Sequence, residues 1–274
     1  MVGSLLFTPV VTMPLFKFEN SLYYYAHVPK CGGSSVNMYI KERFGALAFY
    51  DSNFIQSGHN RERQWTRSSP QHVDCESMER LIPLHFFDWT FSVVRHPVSR
   101  IVSTFHFQKE VERSIPENIG FSEWIENIDH QELYFKYDNH ILPMNRIVPD
   151  RSMIFHLEHG LDSLIIWLDM ITGRQDAPRA FAEVNRRGAY TKKRGPLSRN
   201  IEPSSKDLDR IAALYAEDFE RFGYDLNDPK PKASAPVISP EFIAAREADI
   251  KRMNAPLARL SRKIRRRISK SLNS

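Results

Sequence analysis

The sequence predicts an α/β fold, a parallel sheet flanked by helices and followed by a basic helical tail. Three observations carry that expectation. Short aromatic or β-branched runs alternate with helical patterns, each such run ends at a Pro or Gly turn or just before a Pro, and residues 255–274 hold seven bases and no acid. Strands that alternate with helices pair in parallel, because each crossover helix returns the chain to the same end of the sheet.

The first unit opens with Leu22–Val28 (LYYYAHV), an aromatic, β-prone run that ends at Pro29 and a Gly pair. Val36, Tyr39, Ile40 and Phe44 then repeat at helical spacing, Gly45 suits the stop, and Ser34 or Ser35 is the expected cap. The second unit is Phe86–Val94 (FFDWTFSVV), read as a buried strand. Pro97 stands behind it at a helix's first position, with Val98, Ile101, Val102 and Phe105 on one face. A third is expected at Ser152–His156 followed by Leu161–Ile171. Leu208–Phe222 reads as one helix. Asp228–Pro240 is Pro-rich, so residues 1–228 are expected as one domain, 229–240 as a linker and 241–274 as a detached tail.

Composition bounds the function. With 274 residues, 42% hydrophobic and 26% charged, the chain is a globular protein rather than a disordered one. The net charge of +5 is concentrated in the tail, since residues 1–254 carry 31 of the 38 bases against all 33 acids. A body of that balance is not a nucleic-acid surface, and nucleic acid is not an expected partner. Two cysteines, Cys31 and Cys75, fit neither a disulfide framework nor a zinc cluster. The apolar stretch Met1–Phe16 is broken by Pro9 and Pro14. It is shorter than the roughly 20 residues of a membrane span and lacks signal-peptide organisation. A cytoplasmic protein is expected. In the tail, Leu257, Leu260, Ile264, Ile268 and Leu272 form an apolar stripe among the bases. That pattern suits peripheral binding to an anionic membrane surface, or a helix packed on the domain with a solvated basic face.

Two motifs carry chemistry, and both fall at the carboxyl ends of expected strands, where open α/β sheets bind ligands. In His27-Val28-Pro29-Lys30-Cys31-Gly32-Gly33-Ser34-Ser35, glycines admit close backbone approach, a helix N-terminus offers amides, and Lys30 adds a full charge. The Lys precedes the glycines, unlike the Walker motif, and the second strand ends in Arg95 rather than a Mg²⁺-holding acid. In Arg95-His96-Pro97-Val98-Ser99-Arg100-Ile101-Val102-Ser103, a guanidinium and hydroxyls converge at a helix start, an arrangement suited to a phosphate monoester.

Together these runs resemble the PAPS-dependent sulfotransferases, most closely the branch with heparan-sulfate 2-O-sulfotransferases, carbohydrate sulfotransferases and bacterial relatives. HVPKCGGSS is similar to that family's (H/I)-x-P-K-(T/S)-G-G-(T/S)-(S/T) loop, and RHPVSRIVS to its R-x-P-x-x-R-x-x-S segment. The resemblance implies a P-loop-like sheet and a sulfuryl transfer from PAPS to a hydroxyl acceptor, with a saccharide the family-weighted acceptor, PAP the product and no metal. It places Lys30, Cys31, Gly32, Gly33, Ser34 and Ser35 on the 5′-phosphosulfate, and Arg95 and Ser103 on the 3′-phosphate. Cys31 departs from the usual Thr or Ser. Arg100 matches the family's second Arg.

An attacking hydroxyl needs a base, and His suits that task near neutral pH. His72, in Ser69-Pro70-Gln71-His72-Val73, resembles the family segment that supplies a catalytic His, and His59 is the other candidate. His156-Leu157-Glu158-His159 fits no zinc motif. Lys192, Lys193 and Arg194 read either as a closing loop or as a solvated one. A nucleotide-dependent phosphotransferase and a non-enzymatic membrane- or polyanion-binding protein are the alternatives.

Overall fold

The computed structural model describes residues 14–45, 47–48, 67–182 and 200–255. Its sheet has the order β1-β2-β3-β4, with β1 Leu15–Phe18, β2 Ser21–Ala26, β3 Trp89–Val94 and β4 Met153–His156. Strands β2, β3 and β4 are parallel, and β1 returns antiparallel against β2. The sheet is therefore mostly rather than wholly parallel. The edge strand β1 was not expected, because four residues (LFKF) ahead of a tight turn carry too little periodicity to register.

Side chains alternate across β2 as a pleated strand requires. Tyr23 and Tyr25 enter the main core with Phe16, Phe91 and Val93. Tyr24 and Ala26 face the other side, where Val73, Met78 and Phe87 cover them. Both faces are thus closed, the second by α2 (Cys75–Leu81), which contributes Met78. The main core is completed by α1 (Gly33–Phe44), α3 (Pro97–Phe107), α4 (Phe121–Glu126) and α5 (Asp162–Thr172).

Several local expectations shift. The second strand starts at Trp89, not Phe86, because Pro83 leads into a 3-10 turn, Leu84–Phe86, that leaves Phe86 exposed. Asp88 then closes the strand entry, accepting from the Leu22 N–H at 2.7 Å. The α1 cap is Gly32 in the left-handed region (φ 79°), with no side-chain cap from Ser34 or Ser35. The sharp turn out of the loop requires that conformation, and glycine adopts it without a Cβ penalty. Leu208–Phe222 is two helices, α6 (Ser205–Leu214) and α7 (Ala216–Arg221), broken at Tyr215 (φ −123°). The Tyr215 hydroxyl is drawn inward to donate to Ile141 O at 2.8 Å.

The helix after the Pro-rich segment, α8 (Pro240–Asn254), is tied to the body rather than detached. Arg246 pairs with Asp162, Asp249 accepts from the Arg179 N–H, and Phe242 packs on the core. The basic stripe beyond it lies outside the described residues, as do His59 and Lys192–Arg194. No helix among the described residues is long and apolar enough to cross a membrane.

At Met144 and Asn145 the chain between α4 and β4 is held by a buried carboxylate. Asp218, fully buried on α7, accepts from the Met144 N–H and the Asn145 N–H, both at 2.8 Å. Hydrogen bonds to a charged group contribute roughly 1.5–3 kcal/mol each. Asp218→Ala is expected to lower unfolding stability by about 3 kcal/mol, read from the denaturant midpoint.

Candidate functional site

The parallel register of β2 and β3 puts two loops at one end of the sheet. Ala26 pairs with Ser92, whose hydroxyl donates to Ala26 O at 2.7 Å, and the chains then leave as the Pro29–Gly32 loop and the Arg95–His96 turn. Lys30 adopts φ 68°, unusual for a residue with a side chain, and Arg95 donates to Lys30 O at 3.4 Å. Two cations thereby flank the start of α1, whose first turn contains no acid. Burial, reinforced by Arg95, lowers the Lys30 amine to about 8. An amine desolvated beside a guanidinium and a positive helix end is arranged to receive an anion.

The loop's shape has a steric cause. Gly33 packs so tightly on His27 that a Cβ there would come within 1.7 Å of His27 Nε2. His27 is buried, with Asn37 donating to its Nδ1 at 3.4 Å. Cys31 is also fully buried. Its thiol donates to Pro29 O at 3.7 Å, and burial pushes it up to about 12. A neutral, inward thiol leaves the Cys31 backbone N–H as its group for a ligand. Ser34 is exposed and Ser35 half-buried in the first turn of α1.

On α3, Ser99, Ser103 and Phe107 recur every four residues and so share one stripe. Lys30 Nζ sits 3.9 Å over the Phe107 ring, which brings the Phe107 end of this stripe to the Pro29–Gly32 loop. Arg100, on a different face, is inward and only 1% exposed. It donates to Pro29 O at 3.2 Å, His140 O at 3.1 Å and Leu142 O at 2.8 Å.

His72 is brought beside this loop. Its ring lies 4.9 Å from His27 and 4.9 Å from His140, and His140 stacks on Phe107 at 5.2 Å. Lys30, Phe107, His140, His72, His27 and Gly33 thus form a continuous run of contacts at this end of the sheet. His72 Nδ1 donates to Asp138 Oδ2 at 2.7 Å, and Ser69 Oγ donates to the same oxygen at 2.6 Å. Burial would raise the Asp138 carboxyl, but His72 and the hydrogen bonds from His72 and Ser69 hold it below the usual carboxylate range. Burial, then His72, lowers His140. Burial, His72 and His140 lower His27.

Ligand atoms of His72, Asp138 and His140 lie within 4.8 Å of one another. The 2.7 Å Nδ1–Oδ2 separation is that of a shared proton, tighter than the about 3.3 Å between two tetrahedral zinc ligands. With Ser69 also on that oxygen, the cluster is a hydrogen-bonded network.

Asp138, Asn139 and His140 had no role in the sequence reading. Their signal was an Asp-Asn pair beside a His, since Asp and Asn tolerate left-handed backbone. Tyr137, Asp138 and Asn139 are all left-handed (φ 51°, 56° and 60°), a run that costs roughly 1–2 kcal/mol per residue for L-amino acids. Asn139 offsets part of this by donating to His72 O at 2.7 Å and accepting from the Phe135 N–H at 2.6 Å. Three other described histidines are tied within the fold. His96 Nε2 donates to Asp225 O, His156 Nε2 to Phe222 O, and His106 pairs with Glu110. Glu158 accepts from the His96 N–H and from the Tyr224 hydroxyl, which braces the end of β4 against both.

A family model described as "Sulfotransferase family" matches residues 17–225. Comparisons with curated proteins and with solved structures each gave no significant match.

The close approach at Gly33 is testable by a double-mutant cycle. Gly33→Ala is expected to cost about 1–3 kcal/mol through overpacking against His27. His27→Ala combined with it should cost clearly less than the sum of the two single changes. Additive losses in thermal unfolding would place the constraint elsewhere.

Proposed function

Because the chain belongs to the sulfotransferase family, we propose that it moves a sulfuryl group from PAPS to a hydroxyl, with a saccharide as the acceptor class. The observation that carries the donor reading is the convergence of Lys30, Arg95 and the acid-free start of α1 on one mouth. The saccharide reading is supported by the likeness of the two motifs to the carbohydrate branch.

In this reading Lys30, the first-turn amides of α1, Ser34 and Ser35 hold the 5′-phosphosulfate, while Arg95 and Ser103 hold the 3′-phosphate. The donor supplies an activated S–O bond. His72 accepts the proton of the acceptor hydroxyl as its oxygen bonds to sulfur and the sulfur–phosphate oxygen bond breaks. Lys30 offsets the negative charge that builds on the bridging oxygen, so the leaving product is PAP. Fixed cations and amides suffice for a sulfuryl group, which carries less charge than a phosphoryl group. The basic residues beyond α8 are proposed to hold the protein at an anionic membrane surface.

The direct test is incubation of labelled PAPS with a panel of saccharides in EDTA, with the labelled product identified. PAP in EDTA at about 100 times its dissociation constant should stabilise the protein by about 2.7 kcal/mol. Stabilisation by ATP with Mg²⁺ and not by PAP would replace this reading with phosphoryl transfer. Arg95→Ala should weaken PAPS at least about tenfold more than adenosine 5′-phosphosulfate, which lacks the 3′-phosphate. An equal loss would make Arg95 structural.

The Lys30 amine, at about 8 in the free protein, sets a pH dependence. Only the protonated amine attracts the anion, so PAP affinity should hold below pH 8 and fall as pH rises through it. Titration calorimetry at several pH values checks this, and Lys30→Arg should remove the decline.

A further inference from the structure

We propose that Asp138 is a positioning residue, fixing His72 in the tautomer whose Nδ1 carries the proton and whose Nε2 receives that of the acceptor. This rests on the assignment of His72 as the base. Three imidazoles meet in one cluster, and each has its Nδ1 engaged differently. His27 Nδ1 accepts from Asn37, His140 Nδ1 donates to Tyr137 O at 2.6 Å, and His72 Nδ1 alone of the three donates to a carboxylate. A carboxylate on Nδ1 orients the ring and stabilises the imidazolium that forms when Nε2 takes a proton.

Asp138 is itself held firmly. Oδ1 accepts from the Ser69 N–H at 2.5 Å, Oδ2 accepts from Ser69 Oγ, and the next residue's amide donates to His72 O. Carboxylate and imidazole are therefore tied as one unit across a separation of 66 residues. The left-handed run at Tyr137–Asn139 turns the chain so that Asp138 and His140 both meet His72.

The charged and titratable groups around His72 are Asp138, His27 and His140, with Lys30 acting on both of the latter. Burial holds His27 and His140 toward their neutral forms, so neither competes for the Asp138 charge.

The experiment is ¹⁵N NMR of the imidazoles in the PAP-bound full chain. It is paired with sulfate release from labelled PAPS to water, so no acceptor need be known. In the wild type His72 is expected to carry its proton on Nδ1. Asp138→Asn should shift the proton toward Nε2 and slow sulfate release roughly 10²–10⁴-fold while leaving PAP affinity unchanged. It should also move the acid limb of the pH–rate profile to lower pH, because the imidazolium loses its counter-charge. Ser69→Ala keeps the carboxylate and should keep the tautomer. An unchanged tautomer in Asp138→Asn, or its loss in Ser69→Ala, overturns the positioning role while leaving the proposed function standing. A wild type that neither binds PAP nor releases sulfate overturns the proposed function itself. Should Asp138→Asn not fold, an Nε2–H tautomer in the wild-type spectrum overturns the proposal by itself.

Discussion

The buried guanidinium of Arg100 is the interaction on which the site depends. It leaves α3 with one side chain and reaches Pro29 O in the loop after β2 and His140 O and Leu142 O in the distant chain before β4. Removing so large a cation from water is costly unless its donors are satisfied and opposite charge is near. Backbone carbonyls satisfy it, and the buried Asp218 on α7, which anchors the segment after Leu142, supplies opposite charge. Arginine suits the position because its planar fork serves several acceptors at once, which a lysine ammonium on a flexible stem does less well.

From that tie the rest of the arrangement follows. The loop after β2 is fixed at Pro29, so Lys30 is held in its left-handed conformation and its amine reaches the Phe107 ring. The chain at His140 is fixed by the same guanidinium, and its imidazole stacks on that ring. The Lys30 loop and the His140 segment thus share one rigid reference. Catalysis that relies on fixed dipoles and charges requires such rigidity, since donors that must reorganise lose their advantage.

The molecule separates two electrostatic environments within a few ångströms. Beside the loop after β2, two cations face a helix N-terminus without an acid in its first turn. Around His72, one carboxylate sits among three imidazoles, two of them lowered by burial. The tightly packed His27 touches both, meeting Gly33 on one side and His72 on the other.

The sequence by itself determined the strand–turn–helix units, the place of the two motifs at one end of the sheet and the pairing of a loop Lys with an Arg at a helix start. These are local: glycines for close approach, Pro97 at the first helical position, and apolar residues at period two or 3.6 act over a few residues. The strand β1 was not legible because its four residues carry too little periodicity, whereas the break at Tyr215 and the docking of α8 are set by partners far along the chain. Distant partners also decide the surroundings of His72. His72 was read from its segment, but nothing within ten residues of it indicates Asp138 or His140, and the left-handed turn that presents them is held by bonds to His72 and Arg100. Only the tertiary structure decided that His72 receives the Asp138 carboxylate, because that pairing joins segments 66 residues apart and a local pattern does not encode it.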